Sequence, residues 1–588
     1  MKPATASADA CVYTIPDTLS IVEALAVRAE RHPDRMLFRF LDARGDEEES
    51  VTCAELWRRV RVLARRFDGL GEPGERVALF YNAGLDFIAA YLGCLLAGRI
   101  AVPLNLPTRR RVDRCVRILD DCGCRHAATT GALLASLDDT LRGARAIAWT
   151  DTDFARDLAA SAAWNGPLPP SDDGIAFLQY TSGSTSHPKG VMVTNHNLTT
   201  NLRMMRQGWK LDHRSTAVCW QPHHHDMGLI LGQLLPIVTG FETVLMAPNT
   251  LVQRPLVWLH AISRYRAAFG GGPNFAYELC LQRFAPERLE GLDLSSWTVA
   301  LNGAEVVRAT TLDRFQEAYG PYGFAPEAMV PCYGLAEATL FVSGGPVGER
   351  HRRREVDVAA LETLRTVRPA PAGGARTVVG CGRPSDEVAV AIVDPDTGVR
   401  RGPDEVGEIW IAGATNAAGY WRLPEVTERT FRATIAGEGD AVHLRTGDLG
   451  FLGRDDGQLY ICGRLKDLII VDGRNIHPED IEHTIVECSP AIKPSGVAVF
   501  ENDGGRVVAV VEVDRDLART LPTVGEALSR AIRQAVSTEH GVALADVLFV
   551  GPSTMRKTTS GKIQRGLMRG LYAAGELAPV GRAVPVAV

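Results

Sequence analysis

Lysine is scarce in this chain. Seven of its 64 basic residues are lysine and the rest are arginine. Lysine is a compact point charge on a flexible stem and arginine a planar fork, so the positions that keep lysine are candidates for work the fork cannot do. A long apolar run is also missing. The longest, FIAAYLGCLLAG (87–98), is too short to cross a bilayer and reads as a buried helix, which argues against stable membrane insertion. The N-terminal MKPATASADACVYTIPDTLS has no apolar core of a secretory signal. Charge of one sign is not in excess. A net charge of −6 over 588 residues gives no general attraction to nucleic acid or anionic membrane. The basic run ERHRRREVD (349–357) is short, flanked by acids, and expected as a solvated loop. Twelve cysteines are spread thinly, without a disulfide framework, and point to a reducing cytoplasm. Cys115, Cys122, Cys124 and His126 fit no zinc spacing, so they read as core and turn residues.

What is present is the pattern of an α/β protein. Hydrophobic content of 46% and charged content of 23% are ordinary for a globular chain, and the length allows three to five structural units. Ser20 and Glu23 predict a capping box before IVEALAVRAERH. Strand and helix patterns alternate to about residue 340, which predicts largely parallel sheets. From about 375 to 465, short strands between Gly/Asp turns predict a more antiparallel, barrel-like piece. GRLKDLIIVDGRN (463–475) changes the pattern again. A compact α/β segment follows, with a hairpin turning at Asp503-Gly504-Gly505 and a helix over 523–541 capped by Thr523 and Glu526.

The strongest local signal is AFLQYTSGSTSHPKGVMVTNHN (176–197). An apolar strand runs into Thr181, Ser182, Gly183, Ser184 and Thr185, then Lys189, then a second strand. Hydroxyls, exposed backbone N–H groups and one lysine suit a polyphosphate. It is not a Walker A loop, because the lysine precedes the glycine and a strand follows. Further motifs come in order: QPHHHDMGL (221–229), GGPNFAYELC (271–280), LNGAEVV (301–307), CYGLAEAT (332–339), GYW (419–421), LRTGDLG (444–450), GRLKDLIIVDGRNIHPEDIE (463–482) and TTSGKIQR (558–565). Three of the seven lysines, Lys189, Lys466 and Lys562, fall inside this set. The three consecutive histidines cannot face one ion from a regular strand or helix, since neighbouring side chains diverge.

Over nearly its whole length the chain resembles the acyl-adenylate-forming superfamily of acyl-CoA synthetases, peptide-synthetase adenylation domains and firefly luciferase. The resemblance implies a large N-terminal domain (1–466) of two doubly wound α/β subdomains plus a small β-barrel. It also implies a mobile small α/β C-terminal domain (467–588) that swings about a hinge at Asp467. By the same resemblance, residues 181–189 hold the phosphates of ATP and Glu337 a magnesium ion. Asn302, Gly303, Ala304, Tyr333 and Gly334 belong to the ATP/AMP site, with Gly303 and Tyr333 suited to the adenine, and Asp448 and Arg464 hold the ribose. His225 gates or contacts the carboxylate end of the acyl substrate, and Gly271, Gly272, Pro273 and Phe275 belong to the acyl pocket. Lys562 is the adenylation lysine, brought in by the C-terminal domain for one half-reaction and withdrawn for the other.

Within the superfamily the chain is similar to the fatty acyl-AMP ligases, which pass acyl groups to carrier proteins. NGAEVVRATTLDRF, YGLAEATLFVSGG and GRLKDLIIVDGRN carry that likeness. An insertion at about 347–377 lies where those ligases carry theirs, which is thought to hamper the motion needed for CoA thioesterification. Departures are SHPKG, which lacks the glycine common in CoA ligases, and Ile476-His477, where the branch often has His-Tyr. The expected activity is ATP-dependent activation of a medium or long fatty acid, with transfer to a separate acyl carrier protein. A fatty acyl-CoA ligase is the alternative, and a non-catalytic adenylate-binding protein a more distant one. The sequence sets neither chain length, carrier nor oligomeric state.

Overall fold

The computed structural model describes residues 15–107, 112–137, 141, 147–153, 163–169, 174–181, 188–370, 375–558 and 561–582. Two large sheets carry the first two thirds of the chain. One has six strands in the order Ala148–Asp151, His126–Thr129, Arg76–Phe80, Ile100–Leu104, Ile175–Thr181 and Lys189–Thr194. All its pairs are parallel except the last, which brackets the polyphosphate motif. The other has nine strands, with a parallel centre from Met36–Leu41 through Glu242–Met246, Thr216–Cys219, Phe269–Gly272 and Val299–Asn302 to Met329–Gly334. Antiparallel strands flank it on both sides. The Ser20–Glu23 capping box is present. The apolar helix Asp86–Leu96 is buried almost throughout, as a run without polar faces requires. Cys115, Cys122 and Cys124 are core residues beside Tyr180.

The expected barrel-like piece is a five-stranded antiparallel sheet centred on Val442–Leu452. A ribbon of Arg353–Asp357 and Ala375–Val379 packs on it and shares the core of Val356, Leu361, Phe451 and Tyr460. This corrects the expected solvated loop at 349–357. The run enters a strand at Arg353 because its arginines find carboxylates: Arg353 pairs with Asp313 at 2.6 Å and Arg354 with Asp404 at 2.6 Å.

The last 120 or so residues form a separate four-stranded sheet with cores of its own. The hairpin of Ile492–Glu501 and Val507–Val513 turns where the sequence predicts, on an Asn502 side chain that accepts from Gly504 and Arg506 N–H. The helix that follows is longer than expected. It spans Arg515–His540, is capped by Asp514 and passes through Pro522, so Thr523 and Glu526 lie inside it and form no cap. Asp514 accepts from the Leu517 N–H and so recruits the preceding two turns.

His477 lies buried at the junction of this domain with the antiparallel sheet, 5% exposed. A Cβ at Gly463, whose φ is +152°, would come within 2.3 Å of its Nδ1. Burial, then the Arg376 charge, lower its pKa from 6.5 to about 4. The folded protein therefore excludes a proton that the unfolded chain binds below pH 6.5. The contribution is complete above that pH and lost as pH falls towards 4, an effect of about 3 kcal/mol. His477→Gln is expected to lower the acid slope of unfolding free energy by about one proton. An unchanged slope in urea titrations between pH 6.5 and 4 would count against this assignment.

Candidate active site

A cavity of about 660 Å³ opens where the two large sheets, the antiparallel sheet and the C-terminal domain meet. Its polar end is built on strand ends. Tyr333, from the end of Met329–Gly334, donates its hydroxyl hydrogen bond to Asp448 Oδ2 at 2.8 Å. Asp448 is fixed by its own N–H on Thr446 Oγ1 at 3.0 Å and by Arg464 Nε at 3.1 Å. That carboxylate holds the Arg464 pKa above its usual value. Glu337 sits on a single 3₁₀ turn, Ala336–Ala338. The next turn residue, Thr339, has φ +68°, a conformation β-branched residues avoid. Its hydroxyl on Thr415 O at 2.7 Å holds it there. Glu337 Oε1 accepts from the Tyr420 hydroxyl at 2.8 Å, and Lys189 Nζ stands 5.0 Å from the centre of the same ring. Glu337 could hold a magnesium ion, because one carboxylate beside phosphate oxygens is the donor set that ion accepts.

The C-terminal domain closes over this end. Lys562 follows Gly561 on a tight loop in which Thr558 N–H reaches Lys562 O at 2.7 Å and Lys562 N–H reaches Thr558 Oγ1 at 3.0 Å. Burial lowers the Lys562 pKa, and so does Arg464, while Asp226, Asp448 and Glu305 oppose them. The loop is seated on the large domain: a Cβ at Gly561, φ +88°, would come within 3.1 Å of the Phe275 ring. Gly561→Val is expected to slow adenylation about tenfold, the kinetic equivalent of 1–2 kcal/mol of backbone strain. Pyrophosphate release measures this, and an unaffected rate would show that the seat is not required.

Behind Lys562, Arg565 binds three carboxylates. It makes a two-pronged contact to Glu482, both 2.7 Å, and reaches Glu479 at 2.9 Å and Asp467 at 3.1 Å. It ties the expected hinge residue to the lysine loop. The other end of the cavity is apolar, walled by Trp209, Met227, Leu231, Leu340, Phe341 and Ile461.

Of the residues singled out in the sequence, His225, Phe275, Ala304, Tyr333, Gly334, Glu337, Asp448, Arg464, Asp467, Lys562, Thr181 and Lys189 all border this cavity. Ser182, Gly183, Ser184 and Thr185 lie outside the described residues. Gly271, Gly272 and Pro273 do not line the cavity, against expectation, and neither do Asn302 and Gly303. The three glycines are closely packed: a Cβ at Gly271 would meet Leu301 O at 2.2 Å, at Gly272 the Trp220 ring at 2.5 Å, and at Gly303 Cys332 O at 2.6 Å. Three neighbours were missed. Tyr420 and Arg565 stand inside quoted motifs, GYW and TTSGKIQR, and Asp226 follows the triple histidine.

Fold and site together define an adenylate-forming enzyme. The family model described as AMP-binding enzyme matches residues 25–421, and that of the Disco-interacting protein 2-like AMP domain matches 466–580. A medium-chain-fatty-acid–[acyl-carrier-protein] ligase, JamA of Moorena producens (strain JHB), is 39% identical, over 96% of each chain. A long-chain-fatty-acid–AMP ligase, FadD26 of Mycobacterium marinum (strain ATCC BAA-535 / M), is 37% identical over 93% of this chain and 96% of its own. A fatty acyl-adenylate ligase from L. pneumophila, solved with acyl adenylate and pyrophosphate, superposes with a TM-score of 0.74 at 35% identity, covering 96% of this chain and 97% of that one. The chain belongs to the AMP-binding enzyme family and, within it, to the fatty acyl-AMP ligases.

Proposed function

We propose that this ligase uses ATP and magnesium to convert a medium- or long-chain fatty acid into its acyl-adenylate, then passes the acyl group to the phosphopantetheine thiol of a separate acyl carrier protein. The observation that carries the reading is the convergence of Lys562 with Asp448, Arg464, Tyr333 and Glu337 around a cavity whose far end is apolar. In the first step the fatty carboxylate attacks the α-phosphate and pyrophosphate leaves. Two anions must meet, so the work lies in positioning and charge compensation. Asp448 and Arg464 hold the ribose, Tyr333 borders the adenine, Lys189 and the 181–185 loop hold phosphates, and Lys562 bridges carboxylate and phosphate oxygens. Bound at Glu337, magnesium would neutralise phosphate charge. The apolar end takes the alkyl chain, at about 0.8 kcal/mol per buried methylene.

The likeness to medium-chain-fatty-acid–[acyl-carrier-protein] ligases supports a carrier rather than CoA as acceptor, and three contacts join the insertion to the C-terminal domain. In the insertion, Glu362 accepts from Arg474 Nη2 at 2.6 Å, its carbonyl accepts from Asn475 Nδ2 at 2.9 Å, and Arg376 pairs with Asp480 at 2.7 Å. The insertion thereby braces the C-terminal domain in the pose that presents Lys562, and its movement for acyl transfer breaks these contacts. In this reading residues 1–466 and 467–588 are the two moving parts, and the protein works in the cytoplasm. The test is incubation with ATP, magnesium and laurate or palmitate, with either CoA or a phosphopantetheinylated carrier. Carrier-bound acyl product is expected. Efficient acyl-CoA formation would sink the proposal in favour of an acyl-CoA ligase.

A further inference from the structure

The transfer step needs a base, and none of the roles assigned above supplies one. A pantetheine thiol resembles free cysteine, with a pKa of about 8.5, and is mostly protonated at neutral pH. Only its thiolate attacks. Lys562 is a cation and leaves with the C-terminal domain. The base must therefore sit on the large domain, beside the acyl carbonyl.

His225 and Asp226 meet this requirement. His225 Nδ1 lies 2.5 Å from Asp226 Oδ1, and both border the cavity that receives Lys562. Asp226 is held rigidly: it starts the helical turn Met227–Leu234, is 8% exposed, and its Oδ1 accepts from the Met227 N–H at 2.7 Å. The His225 backbone is tied at both ends, to Pro222 O at 3.0 Å and by Leu229 N–H at 2.9 Å. A carboxylate on Nδ1 keeps the ring hydrogen there and leaves the Nε2 lone pair free to take a proton. The adjacent histidines are unsuited. His223 packs its ring 4.1 Å from Phe87, and burial lowers its pKa to about 3; burial also holds the His224 pKa well below its usual value.

Asp226 also feels the Lys562 ammonium. Burial would raise its pKa, but its interactions with His225 and then Lys562 outweigh it and keep the carboxylate ionised. When the lysine withdraws, His225 remains the partner of that carboxylate. His224 beside it, Arg114 from helix Val112–Cys122 and Lys562 from the C-terminal loop are the other ionisable groups grouped here.

We propose that His225 is the general base of acyl transfer and that Asp226 is its positioning residue, brought into play when Lys562 withdraws. The proposal rests on the function given above. His225 Nε2 takes the thiol proton and the sulfur attacks the acyl carbonyl carbon. The bond from that carbon to the adenylate oxygen breaks, its electron pair leaving on AMP. The imidazolium then releases the proton to solvent.

The experiment supplies lauroyl-AMP and a phosphopantetheinylated carrier to the full-length protein and follows thioester formation from pH 6 to 9.5. His225→Gln is expected to slow transfer about 10²-fold at pH 7, the usual contribution of a positioned base. The deficit should shrink as pH passes about 8.5, where the thiol ionises unaided. Asp226→Asn should slow transfer as well, because the imidazole loses the partner that orients it, and that deficit too should shrink as pH passes about 8.5. A deficit in both variants that is constant with pH would overturn the proposal, since loss of shape alone predicts that. Unchanged transfer with impaired pyrophosphate release would also overturn it and confine the pair to adenylation. If the unaltered protein makes no thioester with any carrier or CoA, the proposed function falls and the inference with it.

Discussion

Lys562→Ala is expected to lower adenylation by about 10²-fold or more, the scale of losing one preorganised charge-stabilising group. Transfer from supplied acyl-AMP to the carrier should change far less if, as proposed, the lysine serves the first half-reaction only. The two rates are separable as pyrophosphate release and thioester formation, and an equal loss in both would refute the two-pose assignment. pH offers a second signature in the unaltered protein. Burial disfavours the ammonium, so its proton is lost below the ordinary lysine value of 10.5. Adenylation should therefore fall along an alkaline limb that begins below that value. Transfer from supplied acyl-AMP should lack this limb, and finding it in both half-reactions would place its origin elsewhere.

Arg565→Met is expected to destabilise the C-terminal domain by about 3–5 kcal/mol, the cost of leaving buried carboxylates without their counter-ion. Glu482, Glu479 and Asp467 are between 9% and 18% exposed, so water cannot replace the guanidinium. Arg565→Lys keeps the charge but loses the two-pronged contact and should fall in between. Urea unfolding, with hydrogen exchange in strand Val507–Val513 as the local probe, measures the effect. Stability within a few tenths of a kcal/mol of the unaltered protein would show that the cluster orients the loop without holding the domain together.

The difference between Lys562 and Arg565 also shows what the sequence makes legible. Lys562 stands out because a glycine-containing polar loop in a lysine-poor chain marks it, although the charges it meets, at 226, 305, 448 and 464, lie far away in sequence. Arg565, three positions on, is anonymous: its partners come from 467, 479 and 482, and nothing in one dimension brings them together. The insertion is legible as a long connection, but the arginines of 349–357 read as solvated because their carboxylates at 313 and 404 lie on other elements. The glycines at 271 and 272 are ambiguous in another way. A glycine that admits a ligand and one that admits a neighbouring strand look the same until the opposing atom is known. The Ser20–Glu23 box forms because donor and acceptor are three residues apart and no earlier residue starts the helix, whereas Thr523–Glu526, at the same spacing, is overridden by the Asp514 cap upstream.

The contact between Gly561 and Phe275 bears on how substrates are told apart. Phe275 is both a wall of the cavity and the seat of the lysine loop. A fatty acid whose shape displaces that ring still binds through its alkyl chain but prevents the ammonium from arriving. Poor substrates of this kind should be distinguished in kcat more than in KM, so selectivity is exercised at the moment of reaction and not at entry.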